Sequence, residues 1–320
     1  MDSRNYAFKA FGDGDHIYAS VYWPKQRKDA PYGIALAFHG GGFVVGSINM
    51  LPIEQIDYLA NSGLVVVSAD YRLCPQVSLY EGPIQDAKDA YRWCKEDLPT
   101  LLKNDESIDV DSSRIVVFGH SAGGCLALHT GALPDPPRAI LDFYGVKCTT
   151  DPLWFAPLPA LAMIPPLDDA FLNQIYNEPV LSNTMLSLEH AANTNTQPKT
   201  KTKGLPRPDL SIPRNAWLFV KLKEGMHLPA IVQDGDYERI DPVRSFSANF
   251  PPTFFVHGNA DAMVLSEFSV KAHEKLRSFG VETGILLPEG KSHGFDVGVE
   301  PEDADFTSIR AGLDFLVQYV

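Results

Sequence analysis

Apolar residues in this chain fall into short, dense blocks. IALAFHG (34–40), LVVVSAD (64–70), RIVVFG (114–119), AILDFYG (139–145), TFFVHG (253–258) and VETGILLP (281–288) are rich in Val, Ile and Phe and lack clean alternation. A strand covered on one face alternates apolar with polar positions, whereas dense blocks suit strands buried on both faces of a parallel sheet. Helix-type spacing fills most of the intervals, and predicts helices near 53–62, 83–97, 121–133, 266–279 and 304–318. In SEFSVKAHEKLRSFG, Phe268, Ala272, Leu276 and Phe279 form one stripe, Ser266 stands at the N-cap position and Gly280 supplies the stop. This alternation predicts a mostly parallel, doubly wound α/β fold.

Two stretches depart from the rhythm. YAFKAFGDGDHIYASVYWP (6–24) reads as a hairpin turning at Gly12-Asp13-Gly14, an antiparallel edge to the sheet. After Gly145 the pattern lapses into proline-rich text, PLWFAPLPALAMIPPLDD, and then a polar run, NTNTQPKTKTKG (193–204). Such an excursion inside a compact domain reads as a lid, so one domain over 1–320 is expected, with a lid or cap insertion at 146–250. Its apolar half, including Leu153, Trp154, Phe155, Leu158, Leu161, Met163 and Ile164, is expected to cover a pocket, with packing on the sheet edge as the alternative. The polar run is expected to be a mobile surface loop.

Composition narrows the function classes. At 320 residues, 45% hydrophobic and 21% charged, the chain has the make-up of a folded globular protein. A formal net charge of −13 repels phosphate backbones and anionic lipid surfaces, which argues against nucleic acid as a partner and against stable membrane association. No apolar run reaches the ~18 residues of a membrane span, and MDSRNYAFKA lacks the charged and apolar regions of a secretion signal. A cytoplasmic monomer or homodimer is the expectation. Cys74, Cys94, Cys125 and Cys148 show no CxxC spacing, so they are expected to be reduced packing residues, and no metal is expected.

RIVVFGHSAGGCLALH (114–129) sets Ser121 where a strand-type block gives way to a helix-type run. A serine at so sharp a turn carries a strained backbone, and its neighbours two positions away on each side must be small, as Gly119 and Gly123 are. The corner lifts the hydroxyl into the crevice at the carboxyl edge of the sheet and sets the Ala122 N–H at a helix start. Serine is a poor nucleophile without a base, and the base needs a third group to orient it. His293, in GKSHGF after the last strand block, is the expected base; Asp261, in TFFVHGNADAMV, is the expected acid, with Asp296 as the alternative. HGGGF (39–43) follows the first buried block, and its glycines let backbone N–H groups approach a developing oxyanion. Gly41 and Gly42, with Ala122, are therefore the expected oxyanion donors. Phe43, Val44, Trp154 and Phe155 are candidate substrate contacts, His39 reads as a loop-ordering group, and His120 and His257 as strand-end histidines.

HGGGF, DYRLCP (70–75), GHSAGG (119–124), the Asp261 segment and His293-Gly294-Phe295 together resemble the hormone-sensitive-lipase-like branch of the α/β hydrolases, which includes many carboxylesterases. The chain order Ser121, Asp261, His293 is that of the α/β hydrolases. The resemblance implies an α/β-hydrolase fold with Asp70 and Arg72 as scaffold. It also implies a serine esterase without cofactor or metal: Ser121 attacks an acyl carbonyl, His293 shuttles the proton, Asp261 orients His293, and water releases the acyl-enzyme. The expected substrate is an ester, lactone or other acyl compound of a small, bulky apolar metabolite, as in secondary metabolism. The chain departs from the family pattern in three ways: Gln76 stands where Glu is common, little precedes HGGGF, and the insertion is longer and proline-rich. The same equipment serves amide or formamide hydrolysis and transfer of an acyl group to an internal nucleophile; a non-catalytic small-molecule receptor is the alternative of another class.

Overall fold

The computed structural model describes residues 1–12, 14–27, 30–181, 204–205 and 207–320. Its strands are β1 (Asp2–Phe11), β2 (Asp15–Trp23), β3 (Tyr32–Phe38), β4 (Leu64–Ala69), β5 (Val110–His120), β6 (Ile140–Phe143), β7 (Thr253–Val256) and β8 (Thr283–Leu286). They form one sheet in the order β1-β2-β4-β3-β5-β6-β7-β8. β2 pairs antiparallel with β1 and β4, and the remaining pairs are parallel. The expected hairpin thus forms the edge, although Asp13 at its turn lies outside the described residues.

The dense apolar blocks have a direct cause. Along β3, Ile34, Leu36 and Phe38 enter one core while Ala35 and Ala37 enter another; in β4, Val65 and Val67 oppose Leu64 and Val66 in the same way. Successive side chains point to opposite faces, and both faces are covered. Helices α1 (Ile53–Asn61) and α9 (Phe306–Val317) pack over the smaller core. On the other face lie α2 (Gln85–Glu96), α3 (Leu98–Glu106), α4 (Ala122–Thr130) and α8 (Ser266–Ser278).

Some local expectations need correction. In α8 the N-cap is Leu265, and Ser266 is already the first helical residue, without a capping hydrogen bond from a side chain. Phe279 leaves the buried stripe because it is the C-cap; the chain turns there, at Gly280 with φ +76, and the residue is 42% exposed. Helix α3 was not expected: it begins where α2 ends, with Pro99 in its first turn and Ser107 in the left-handed region at its stop.

Between β6 and β7 the described residues leave the sheet and include α5 (Asp169–Leu172), α6 (Pro213–Glu224) and α7 (His227–Ile231), with short 3₁₀ turns at Pro152–Phe155, Pro159–Leu161, Asn173–Asn177 and Pro242–Ser245. Apart from Gly204, the polar run 193–204 lies outside the described residues. Among the described residues no helix is long and apolar enough to cross a membrane.

The parallel register is what places the site. Phe38 pairs with Gly119, His120 with Phe143, and Phe143 with Val256. Parallel strands present their carboxyl ends on one edge, so the loops after β3, β5, β7 and β8 rise together.

Candidate active site

Ser121 occupies the corner between β5 and α4 with φ 54 and ψ −116. The strained backbone is tied on both sides: its N–H donates to the Phe143 carbonyl at 2.9 Å, and its carbonyl accepts from the Gly124 and Val146 amides at 3.0 and 3.2 Å. A Cβ at Gly123 would lie 2.0 Å from the Phe38 carbonyl oxygen, and one at Gly119 would lie 2.1 Å from the Gly123 oxygen. The two glycines therefore let helix and strand touch.

Ser121, His293 and Asp261 come together at this corner. Ser121 Oγ is 2.9 Å from His293 Nε2, and His293 Nδ1 is 2.6 Å from Asp261 Oδ2. The Asp261 Oδ1 atom accepts from the Met263 and Val264 amides at 2.8 and 2.9 Å, while His257 Nε2 approaches Oδ2 at 3.1 Å. Burial alone would push this carboxyl up. The positive charge that His293 can carry, with hydrogen bonds from His257, His293 and Val264, outweighs burial and holds the group well below the usual carboxylate range. Asp296 faces elsewhere: it accepts from Gln55 Nε2 at 2.7 Å and from the Tyr144 hydroxyl, and lies 3.1 Å from His120 Nε2. Tyr144 itself sets the edge-on contact with the His293 ring, centroids 4.7 Å apart.

The loop after β3 turns tightly beside Ser121. Gly41 has φ +109, and a Cβ there would lie 2.0 Å from the Val45 carbonyl oxygen, so the conformation and the close approach both require glycine. Its carbonyl accepts from the Val44 and Val45 amides, both at 3.0 Å. Ala122 opens α4, so its N–H has no acceptor within the helix. His39 stacks on Tyr71 at 4.2 Å and donates from Nδ1 to the Gly40 carbonyl at 2.7 Å. Burial lowers its pKa to about 4 despite that carbonyl, which leaves a neutral, loop-ordering ring.

A cavity of about 350 Å³ opens at Ser121 and His293, with Gly40, Gly41 and Gly42 on one wall. Val45, Met50, Leu51, Trp154, Leu218 and Leu222 make it predominantly apolar. Trp154 is fixed by donating its indole N–H to the Lys147 carbonyl at 3.0 Å and by stacking on Phe268 at 5.5 Å. Three expected substrate contacts do not line the cavity. The turn at Gly41 carries Phe43 and Val44 inward to full burial, and Phe155 packs against Tyr237 at 4.8 Å. Sequence reading missed the contribution of α6, which supplies Leu218, Phe219 and Leu222. Its signals were present: Pro213 opens the helix and Gly225, at φ 70, stops it.

The segment between β6 and β7 also grips the loop after β3. His227 donates from Nε2 to the Gly42 carbonyl at 2.8 Å, and the buried Arg214 donates to the carbonyls of Val44 at 2.8 Å and Cys74 at 3.1 Å. Burial lowers the His227 pKa to about 4, opposed by the Gly42 carbonyl, so its ring is a neutral donor. Gln76 donates to the Glu178 carbonyl at 2.9 Å.

A family model described as the alpha/beta hydrolase fold matches residues 35–152. Among curated proteins, the non-reducing polyketide synthase ascC of Acremonium egyptiacum is 33% identical over 95% of this chain, and the non-reducing polyketide synthase ausA of Aspergillus calidoustus is 29% identical over 96%. The chain spans only 15% and 14% of the lengths of those two relatives. Among solved structures, a Staphylococcus aureus protein of unknown function gives a TM-score of 0.68 at 19% identity, covering 99% of each chain. A thermophilic esterase from the Planctomycetes species Thermogutta terrifontis, with propionate bound, gives 0.59 at 20% identity, covering 99% of this chain and 93% of that one.

Proposed function

We propose that this chain, which has the α/β-hydrolase fold, is a serine hydrolase of the hormone-sensitive-lipase-like branch that cleaves carboxylic esters through an acyl-enzyme. The observation that carries this reading is the line Ser121 Oγ, His293, Asp261, with contacts of 2.9 and 2.6 Å, at the mouth of an apolar cavity. His293 Nε2 takes the hydroxyl proton as Oγ bonds to the acyl carbon. Charge then develops on the former carbonyl oxygen, where the N–H groups of Gly41, Gly42 and Ala122 are the proposed donors. The imidazolium gives its proton to the leaving oxygen, and the Asp261 carboxylate stabilises it meanwhile. Water repeats the sequence on the acyl-enzyme. Residues 146–250 are the proposed cap, whose apolar wall excludes bulk water and selects a bulky apolar acyl group.

A second reading is favoured by the relatives, which are named as polyketide synthases. In this reading the acyl group on Ser121 is a polyketide chain, and its release goes to water or to a hydroxyl of the same chain, which closes a lactone. Incubation with a reactive organophosphonate followed by peptide mass spectrometry tests the nucleophile: the expected adduct is on Ser121, and a folded protein without it would favour the receptor alternative. Product analysis with esters, thioesters and hydroxy-esters then separates hydrolysis from cyclisation.

A further inference from the structure

Behind Asp261 a second line of buried polar groups leads away from the cavity. His257, at the end of β7, places Nε2 3.1 Å from Asp261 Oδ2 and 2.9 Å from the Val264 carbonyl oxygen, and Nδ1 2.7 Å from Ser269 Oγ. Ser269 Oγ lies 3.0 Å from Lys147 Nζ. Lys147 in turn donates to the Gly145 carbonyl at 2.6 Å and pairs with Asp142 at 2.7 Å. Asp142, Lys147, His257 and Ser269 are all 0% exposed.

The positions of the hydrogens follow from which groups can donate. Paired with a carboxylate, Lys147 is an ammonium group with three N–H donors and no acceptor. Ser269 Oγ therefore accepts from Lys147 on one lone pair, and its one hydrogen can point to His257 Nδ1. An imidazole whose Nδ1 accepts carries its hydrogen on Nε2, and there it meets Asp261 Oδ2 and the Val264 carbonyl, both acceptors. A lysine stands at one end of the line and a carboxylate at the other, and Nε2, which faces two acceptors, carries a hydrogen.

We propose that Lys147, acting through Ser269, holds His257 in its neutral Nε2–H form, and that His257 is a positioning residue for Asp261; this rests on the serine-hydrolase reading above. A histidine against a buried carboxylate would otherwise take a second proton at Nδ1. That would cancel the negative charge that His293 needs when it becomes an imidazolium. The hydrogen of Ser269 occupies the lone pair where the second proton would bind. Stability alone does not account for the Lys147–Asp142 pair, since apolar residues of similar volume commonly serve a core as well or better. The other ionisable groups near His257 are Asp261, His293 beyond it, and Tyr144, whose ring lies edge-on at 6.3 Å and whose hydroxyl is turned to Asp296.

The test combines ¹⁵N-histidine NMR of the full chain with pH profiles of kcat on an ester substrate. Wild type, Ser269→Ala, His257→Gln and His257→Leu are compared between pH 5 and pH 8. Ser269 is exchanged in preference to Lys147 because removing one partner of a buried ion pair strands the other charge. In the wild type, His257 is expected to keep the Nε2–H pattern throughout. In Ser269→Ala it takes up a proton at Nδ1 within the range, and kcat falls with that uptake as an added acid step. His257→Gln retains a donor toward Asp261 and stays within about tenfold of wild type, whereas His257→Leu loses about 10- to 100-fold in kcat with little change in KM. Wild-type nitrogen shifts for His257 in Ser269→Ala at every pH would overturn the proposal. So would a folded His257→Leu as active as His257→Gln. The NMR arm needs no substrate, so a failure of Ser121 to label with organophosphonate counts against the hydrolase reading and leaves the nitrogen shifts to judge the relay.

Discussion

At the scale of single residues, the choice between two aspartates shows where sequence reading stops. Position after a buried strand block ranks Asp261 ahead of Asp296 in the sequence, but it does not show which atoms meet. Geometry does: Asp261 Oδ2 is 2.6 Å from His293 Nδ1, while Asp296 is occupied by Gln55, Tyr144 and His120. Asp261→Asn is therefore expected to lower kcat by about 10⁴-fold through loss of the orienting carboxylate. Asp296→Asn is expected to cost about 1–3 kcal/mol of stability, because its buried partners lose a charged acceptor, with kcat changed less than about tenfold. Steady-state kinetics and denaturant titration on both variants read the two effects, and equal kcat losses would overturn the division of roles. The strained Ser121 was legible because Gly119 and Gly123 are forced by contact with backbone atoms at about that corner. His257 was not, since a strand-end histidine in the sequence gives no sign of which oxygen its ring will reach.

Elements were legible in proportion to their periodicity and to how far both faces are covered. The blocks at β3 and β4 announced themselves because two cores bury alternate side chains of each strand. α6 carried clear end signals, yet it lies in a proline-rich excursion whose rhythm differs from that of the sheet. Its contact with the loop after β3 is a tertiary fact. That contact makes an element-scale prediction: His227→Leu removes the donor to the Gly42 carbonyl, and the loop that presents the proposed oxyanion donors loosens. The expected result is a fall in kcat of about two- to tenfold, with KM for a small ester unchanged. A variant that raises KM alone would show that His227 contacts substrate and does not order the loop.

For the whole molecule, burial of histidines sets the response to acid. Burial lowers His39, His129 and His227 to about 4, only partly opposed by the carbonyls of Gly40, Ile240 and Gly42. In the unfolded chain these groups titrate at about 6.5. Between those values the unfolded state binds more protons than the folded one, so stability present above pH 6.5 is lost as pH falls toward 4. Each group contributes at most about 1.4 kcal/mol per pH unit inside that window. Asp261 and Asp296, both held below the usual carboxylate range, add a further loss at still lower pH. Guanidinium unfolding at pH 7, 5.5 and 4.5 should show the decline, and a constant free energy across that range would contradict it. The sequence by itself determined the class of fold, the strained serine corner and the chain order of the reactive side chains, because these depend on local sterics and on which positions must leave water. Only the tertiary structure decided how Asp296 is engaged elsewhere, which residues wall the cavity and how the segment between β6 and β7 grips the loop beside Ser121. Those outcomes depend on the register of distant strands and on hydrogen bonds between residues far apart in the chain, which local pattern does not encode.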